Sequence, residues 1–453
     1  METTTKKQNN AIPIIVMIFL FGMISFVTNL AAPIGNIWKM QPGIDGSNTL
    51  GMMGNMMNFL AYAIMGIPAG KMLSKIGYKK TALIAIAVGF IGVFVQFCSG
   101  LMPIDKVELT IDQYGDPVYP AGLPVPPSFY IYLLGAFIAG FSVCMLNTVV
   151  NPMLKILGGK RSNQYIQIGG SFNSLMGTLT PMLVGVLIGE LVKGKSVISD
   201  VNPVLFIAMG VFAVAFLILL FIPIEDPEQV KESGKSVSPM KYRHFILGII
   251  TIFLYVGVEV GIPGTLNFYL SDRTGNGAGL DPSVAVKIGG FVAGTYWLLM
   301  LVGRLISSLI SGKVSSRTQL ISVSCIALLF VILAIFLGNT SWVQMPVFTG
   351  NNFSMEKVPI AALLLVLCGL CTSVMWGTIF DLAVEGLGAA TNKASGIFMA
   401  MVVGGGILPL IQNYVADKFS YMTSYWVIVA GLAFILFYAL WGSKNVNKDI
   451  PVD

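Results

Sequence analysis

One carboxylate stands where a charge inside a bilayer is energetically unfavourable. Glu259 lies in the middle of the apolar stretch of residues 244–270. A charged side chain at that depth usually faces a cavity or a partner and marks the pathway of an ion or a substrate. Gly261, Pro263 and Gly264 follow it, and they predict an interrupted helix of the kind that binds cargo near the membrane midplane. These residues together predict transport rather than catalysis.

Three roles are open for the Glu259 carboxylate. It could carry a coupling proton, because desolvation favours the protonated form of a buried acid. It could also accept hydrogen bonds from substrate hydroxyls as a permanent anion. The structural alternative is that it caps backbone groups exposed at the expected break over residues 261–264. Tyr255 lies one helical turn earlier, so we expect it beside Glu259 on the same helix face.

Composition supports a membrane location. Hydrophobic residues make up 55% of the 453 residues and charged residues only 11%, whereas a soluble domain has about 25% charged residues. The net charge is +6, but the basic residues are scattered among short segments, which argues against nucleic-acid binding. The sequence contains no phosphate-binding loop, zinc-ligand spacing or nucleophile triad. We therefore expect no enzyme activity, no metal site and no cofactor.

Long apolar stretches predict an all-α membrane protein with twelve transmembrane helices. An even number of spans places both termini on one side. Most of the 27 lysines and arginines fall in segments on that side, which predicts cytoplasmic termini in a multi-pass protein of the bacterial inner membrane. The predicted spans are residues 11–32, 50–73, 81–102, 128–150, 165–191, 204–223, 244–270, 284–310, 320–338, 359–381, 394–413 and 424–442.

A polar segment divides the spans six and six. Residues 224–243 are rich in charge and separate an N-terminal six-helix bundle, 1–223, from a C-terminal one, 244–453. A faint repeat supports the division, because Gly70-Lys71 at the end of the second span corresponds to Gly303-Arg304 in the eighth. Two pseudo-symmetric bundles predict a cavity at their interface and alternating access by rocking of one bundle against the other.

Several spans carry polar side chains on one face. Asn58 and Tyr62 lie one turn apart on the second span, and Gln167 begins a polar row on the fifth. Asparagine and glutamine offer a donor and an acceptor together, which suits sugar hydroxyls. The structural alternative, hydrogen bonding between helices, stays open for these rows.

Five segments resemble the fucose/hexose–proton symporter branch of the major facilitator superfamily. Residues 145–181 contain the family's T-x-x-N-P element and its Phe-Asn-Ser element. YVGVEVGIPG at 255–264 is similar to a family element of the seventh span, and residues 373–388 and 404–411 are similar to its later signatures. Residues 70–80 resemble the loop between the second and third spans, with Ser74 where many relatives have Asp.

The resemblance implies a major facilitator fold and import of a hexose or deoxyhexose with a proton or sodium ion. Two departures bear on coupling. Asn29 and Asn147 stand where fucose-type members carry acids, and an amide cannot release a proton near neutral pH. Glu259 is then the main acidic candidate for ion coupling.

The expected site combines these elements. The sugar is expected at the interface, and a monomer in the lipid bilayer is the expected assembly. Trp376 and Trp297 could stack on a pyranose, or they could simply pack. Asp381 and Glu385 are candidates for gating, with exposure to the cytoplasm or pairing with Lys393 as the alternative. The expected substrate-binding residues are Asn29, Asn58, Tyr62, Asn147, Gln167, Asn173, Tyr255, Glu259, Asn267, Trp376 and Gln412.

Two other functions fit the same spans. An exporter or antiporter of small amphipathic compounds would tolerate unrelated apolar ligands. A sugar carrier would discriminate epimers, because unpaired buried polar groups are unfavourable. A nutrient sensor that does not transport would bind its ligand without flux.

Overall fold

A computed structural model shows a helical membrane protein. Within the described residues, twelve helices are long and apolar enough to cross a membrane, as the sequence predicts. Large apolar side chains such as Ile64, Leu217 and Leu329 are exposed on them, as a lipid-facing surface requires. The structure describes residues 11–111, 117–158, 162–222, 238–272, 274–281, 283–310, 314–338, 340–348, 353–387 and 391–446.

Fourteen α-helices in the described residues build the twelve spans, because two spans are each made of two consecutive helices. The first six spans form what we call the N-terminal half, and the last six form the C-terminal half. Most of the proposed linker, namely residues 224–237, lies outside the described residues. The helices are α1 Ala11–Thr28, α2 Ala31–Trp38, α3 Asn48–Ile76, α4 Tyr78–Ser99, α5 Pro127–Gly158, α6 Ser162–Ile188, α7 Asn202–Phe221, α8 Arg243–Ser271, α9 Ala285–Ile310, α10 Ser316–Leu337, α11 Ile360–Val384, α12 Thr391–Ala400, α13 Gly404–Lys418 and α14 Tyr421–Phe437.

The expected break at residues 261–264 is wrong. Helix α8 runs without interruption through Pro263, so the role of Glu259 as a cap for broken backbone loses its basis. The glycines serve close packing instead. A Cβ at Gly257 would lie 2.4 Å from Leu408, and one at Gly261 would lie 2.5 Å from Gln412. Helix α8 can therefore pack closely against α13.

The observed breaks lie in the first and eleventh spans. Helix α1 ends at Thr28 and α2 begins at Ala31, so Asn29 stands at the interruption. In the eleventh span, a short 3-10 helix at Met401–Val403 separates α12 from α13. Residues 404–409 belong to the continuous helix α13, and the break immediately precedes them.

Two small β-hairpins outside the spans were not expected. Thr110–Ile111 (β1) pairs with Pro117–Val118 (β2), and Trp342–Phe348 (β3) pairs with Phe353–Pro359 (β4), both antiparallel. The second hairpin directly precedes α11. Both lie on the side opposite the termini, which we call the distal side; the side of the termini is the terminal side.

Among the described residues, four main helix pairs join the two halves: α3 with α13, α3 with α12, α6 with α9, and α2 with α8. One of the contacts has a clear backbone origin. Pro409 in α13 has no N–H to bond the Gly405 carbonyl one turn earlier. Asn55 of α3 donates to that carbonyl through Nδ2 at 2.8 Å. A proline of one half thereby creates an acceptor for an amide of the other.

Gly404 gives a test of this close packing. A Cβ at Gly404 would lie 1.9 Å from the backbone oxygen of Phe253 in α8, so Gly404→Ala must push the helices apart. We expect a loss of about 1–3 kcal/mol of stability, as for overpacked cores. Gly210 of α7 has open space at the same position, and Gly210→Ala should be neutral or slightly stabilising. Thermal unfolding of both purified variants in detergent checks this; equal melting temperatures would contradict the packing.

Candidate functional site

Glu259 lies near the middle of the 29-residue helix α8. Its Oε1 accepts a hydrogen bond from the Tyr255 hydroxyl at 2.8 Å, which confirms the expected neighbour one turn away. The side chain keeps accessible surface, whereas Tyr255 and Val258 are fully buried. Glu259 as a residue is therefore only partly buried, in contrast to these two neighbours.

Aromatic and hydroxyl groups of neighbouring helices support Tyr255. Its hydroxyl also lies 3.1 Å from the Thr372 carbonyl oxygen of α11. The Tyr296 hydroxyl of α9 lies 2.8 Å from Thr372 Oγ1. The half-buried Trp376 ring stands 6.2 Å from the Tyr255 ring. Three helices of the C-terminal half, α8, α9 and α11, therefore hold the position of the carboxylate.

Arg304 supplies a positive charge that the sequence analysis did not assign to the site. Its guanidinium interacts electrostatically with Glu259 and with Tyr255. Its Nη1 also donates to the Gly170 carbonyl oxygen of α6 at 2.8 Å. Because Gly170 belongs to the other half, Glu259 and Arg304 lie at the interface between the halves rather than toward lipid.

Trp297 extends the same interface toward Asn29. The Trp297 ring packs edge-on against Tyr296, with ring centroids 5.6 Å apart. A Cβ added at Gly177 of α6 would lie about 3 Å from the Trp297 ring. The same Cβ would lie 2.9 Å from Ser25 Oγ. Asn29 Nδ2 donates hydrogen bonds to two oxygens of Ser25, the backbone carbonyl oxygen at 2.9 Å and the side-chain Oγ at 3.2 Å. Trp297 therefore contacts the N-terminal half close to the break in the first span.

Asn147 and Tyr62 form a polar pair in the N-terminal half. Asn147 Nδ2 donates to the Tyr62 hydroxyl at 2.6 Å. Tyr62 stacks on Phe59, with ring centroids 5.8 Å apart, and the Phe59 ring packs closely on Gly405 of α13. This pair thus approaches the C-terminal half through Phe59.

Gln412 is a predicted binding residue whose side chain is fully buried in α13. Neither Nε2 nor Oε1 has a hydrogen-bond partner, and Oε1 faces Gly261 of α8. A buried amide without partners is unfavourable, so it needs a ligand, a water or a rearrangement to satisfy it.

Three other predicted binding residues lie away from Glu259. Asn58 lines a cavity of about 10 Å³ inside the N-terminal half with Gln96 and Tyr132, which is room for a single water. Asn173 Nδ2 donates to the Phe21 carbonyl at 2.8 Å and so ties α6 to α1. Asn267 is buried, and its Oδ1 accepts from Asn36 Nδ2 at 2.6 Å, closer to the distal side. The side chain of Gln167 lies outside the described residues.

Among the described residues, the two acids expected to gate contact groups of the C-terminal half. Asp381 is exposed and accepts from Ser316 Oγ at 2.6 Å. Glu385 is also exposed, and its backbone oxygen lies 3.0 Å from His244 Nε2. The side chain of Lys393, the alternative partner, lies outside the described residues. Gating by these acids stays a prediction, and their exposure agrees with the alternative that they face the terminal side.

Two sets of six spans that meet at an embedded carboxylate and guanidinium define a transporter of the secondary type. Residues 14–408 match the model of the Major Facilitator Superfamily. The chain belongs to this superfamily, as its motifs predict.

Relatives of known name extend the comparison. A glucose/galactose transporter of Brucella abortus biovar 1 (strain 9-941) is 28% identical over 458 residues, covering 98% of both chains. Among solved structures, the fucose:proton symporter of E. coli is 17% identical, covers 97% of this chain and 100% of its own, and has a TM-score of 0.63. The xylose transporter of E. coli in a partially occluded inward open conformation is 12% identical, covers 97% and 99%, and has a TM-score of 0.69. These likenesses confirm the fold.

Proposed function

We propose that this protein imports a monosaccharide, a hexose or deoxyhexose, together with a proton by alternating access. The observation that carries the proposal is the Glu259–Tyr255–Arg304 cluster at the interface of the halves. Glu259 is the one acid in the middle of a described span, and the residue is only partly buried. The relatives' names, a glucose/galactose transporter and a fucose:proton symporter, support both the sugar and the proton.

Glu259 has two roles in this proposal, one toward the positive charge of Arg304 and one toward the sugar. As a proton carrier, it alternates between an anion balanced by Arg304 and a neutral acid that leaves Arg304 to Gly170. As a sugar ligand, it accepts hydroxyl protons while the half-buried Trp376 offers a flat apolar face. Asn29, Asn147 and Tyr62 supply amide and hydroxyl groups from the N-terminal half, and Gln412 supplies an unpaired amide from the C-terminal half.

The terminal side is proposed to be cytoplasmic, because lysines and arginines are concentrated there. The distal side then faces the periplasm of a bacterial cell, and the two halves, divided at residues 224–243, rock as bodies. We propose a monomer, since one chain carries both halves of the site. These assignments follow the positive-inside rule and the internal repeat.

Uptake into proteoliposomes tests the function directly. The purified chain is reconstituted, and a panel of labelled monosaccharides and their epimers is offered with a proton gradient or a sodium gradient imposed separately. We expect accumulation of one hexose or deoxyhexose driven by protons, with the wrong epimer reduced at least about tenfold. Accumulation driven by sodium alone would change the coupling ion, and binding without flux would indicate a sensor. Export of unrelated apolar compounds would overturn the sugar proposal.

A further inference from the structure

A carboxylate of one half caps a helix of the other on the distal side. Asp417, in the last turn of α13, accepts hydrogen bonds from the backbone N–H groups of Asn48 at 2.7 Å and Thr49 at 2.8 Å. The hydroxyls of Thr49 and Ser47 donate to the same carboxylate at 2.6 and 3.0 Å. All four donor groups stand at the start of α3, in the N-terminal half.

The chemistry of a helix start explains the contact. The first N–H groups of a helix have no partner inside it, and the helix dipole favours an anion there. Ser47, the N-cap of α3, accepts from the Leu50 N–H. The N–H groups of Asn48 and Thr49 are satisfied by Asp417, so α3 is completely capped only while the halves touch on this side.

A buried lysine reinforces the contact next to this cap. Lys39 is 3% exposed, and its Nζ donates to Asn48 Oδ1 at 2.5 Å and to the Tyr421 hydroxyl at 3.1 Å. The Tyr421 hydroxyl lies 2.8 Å from Asp272 Oδ2. Lys39 thus links the end of the first span to α14 of the other half.

The charges around Lys39 oppose one another. Burial lowers the pKa of the Lys39 amine, whereas Asp272 and Asp417 act in the opposite direction. The Lys39 amine also stands over the Phe268 ring, 4.6 Å from its centroid. Opening this region to water would hydrate the amine but remove both carboxylates and the aromatic face from it.

We propose that Lys39, Asn48, Asp272, Asp417 and Tyr421 form the distal gate of the transport cycle, closed when Asp417 caps α3. We call these five residues the distal lock. The proposal rests on the proposed function, because alternating access requires the halves to separate on this side once in each cycle. This gate is formed by contacts between the two halves. The described contacts of Asp381 and Glu385, in contrast, lie within the C-terminal half.

Labelling of a buried cysteine measures opening of the lock without any sugar. Met52 lies in α3, one helical turn after Asn48. It is fully buried and faces Gly264 of the other half. A Met52→Cys reporter is placed in the full chain without its five native cysteines. Its reaction with a membrane-impermeant maleimide is followed in intact cells and in inverted vesicles.

Asp417→Asn weakens the acceptor that caps α3, so we expect distal labelling of the reporter to rise about tenfold, within the range of a lost helix cap. Tyr421→Phe removes a hydroxyl and no charge, and a smaller rise is expected. Ser420→Ala is the matched control, because Ser420 caps α14 within one half by accepting from the Thr423 N–H at 3.1 Å. Its labelling should equal that of the unmodified lock.

Unchanged labelling in both Asp417→Asn and Tyr421→Phe would overturn the lock. So would an equal rise in Ser420→Ala, since that would indicate general loosening of the distal side. Because no sugar is used, these results stand whether or not the monosaccharide proposal holds. A rise seen in inverted vesicles instead of intact cells would keep the lock and reverse the proposed orientation.

Discussion

Glu259→Gln is expected to abolish proton-driven accumulation while exchange of sugar across the membrane continues. Glutamine keeps the shape of the side chain and can still bond the Tyr255 hydroxyl, but it cannot take up or release a proton. Without a coupled proton the sugar gradient cannot exceed equilibrium, so the accumulation ratio should fall to about one. Labelled sugar uptake under an imposed pH gradient measures accumulation, and counterflow without a gradient measures exchange.

Counterflow distinguishes the two roles proposed for Glu259. If it is lost together with accumulation, Glu259 binds the sugar as a permanent anion. If the Glu259→Gln variant accumulates sugar to the same ratio as the unsubstituted protein, Glu259 takes no part in the mechanism. Tyr255→Phe is the matched control, because it removes the hydrogen bond at 2.8 Å and keeps the carboxylate. We expect it to slow uptake several-fold without uncoupling it, since one hydrogen bond to a charged group contributes about 1.5–3 kcal/mol at most.

The spans and the local pairs could be predicted from the sequence because their causes are local. Apolar length alone sets a membrane-crossing helix, and the twelve predicted spans match the observed ones. The Tyr255–Glu259 hydrogen bond follows from helical periodicity, since residues four apart share a face. Asn147 and Tyr62 were each predicted from their residue type, and the structure brings them within 2.6 Å of each other.

Contacts between distant helices could not be predicted, because no local pattern encodes them. In the sequence, Arg304 is one of several basic residues near the terminal side. Its hydrogen bond to the Gly170 carbonyl oxygen depends on how α9 packs on α6. Lys39 likewise resembles a loop cation, although it is buried among groups from both halves. The one sequence signal at Arg304 is the pair Gly303-Arg304, which repeats the pair Gly70-Lys71. This repeat indicates two related halves and does not indicate a contact between them.

The expected break in α8 failed for a related reason. Pro263 removes a helical N–H, and by geometry it frees the Glu259 carbonyl one turn earlier. Neighbouring helices can satisfy or tolerate such a carbonyl inside a membrane protein, so the helix continues. Whether a glycine and a proline break a span therefore depends on the packing around them. This dependence explains why the eleventh span is broken just before Gly404, whereas the seventh span is continuous after Gly261.

Removing Arg304 is expected to destabilise the protein, and removing Glu259 with it should restore much of the stability. Arg304→Met leaves an embedded carboxylate without its positive neighbour and breaks the bond to Gly170. We expect a loss of about 2 kcal/mol or more, because an embedded carboxylate is left without a compensating positive charge nearby. In the double variant Glu259→Gln, Arg304→Met no charge is stranded, so the melting temperature in detergent should lie above that of Arg304→Met alone.

The comparison of four proteins isolates the interaction between the two side chains. For two charged side chains that interact electrostatically inside the protein, the double-mutant cycle should give a coupling of about 1–3 kcal/mol. Lys39→Met provides the matched control, since it also removes a buried cation, but one surrounded by Asp272, Asp417 and Tyr421. Glu259→Gln should not restore its stability. If the losses at Arg304 and Glu259 simply add, the two side chains act independently, and Arg304 serves only to hold α9 against α6.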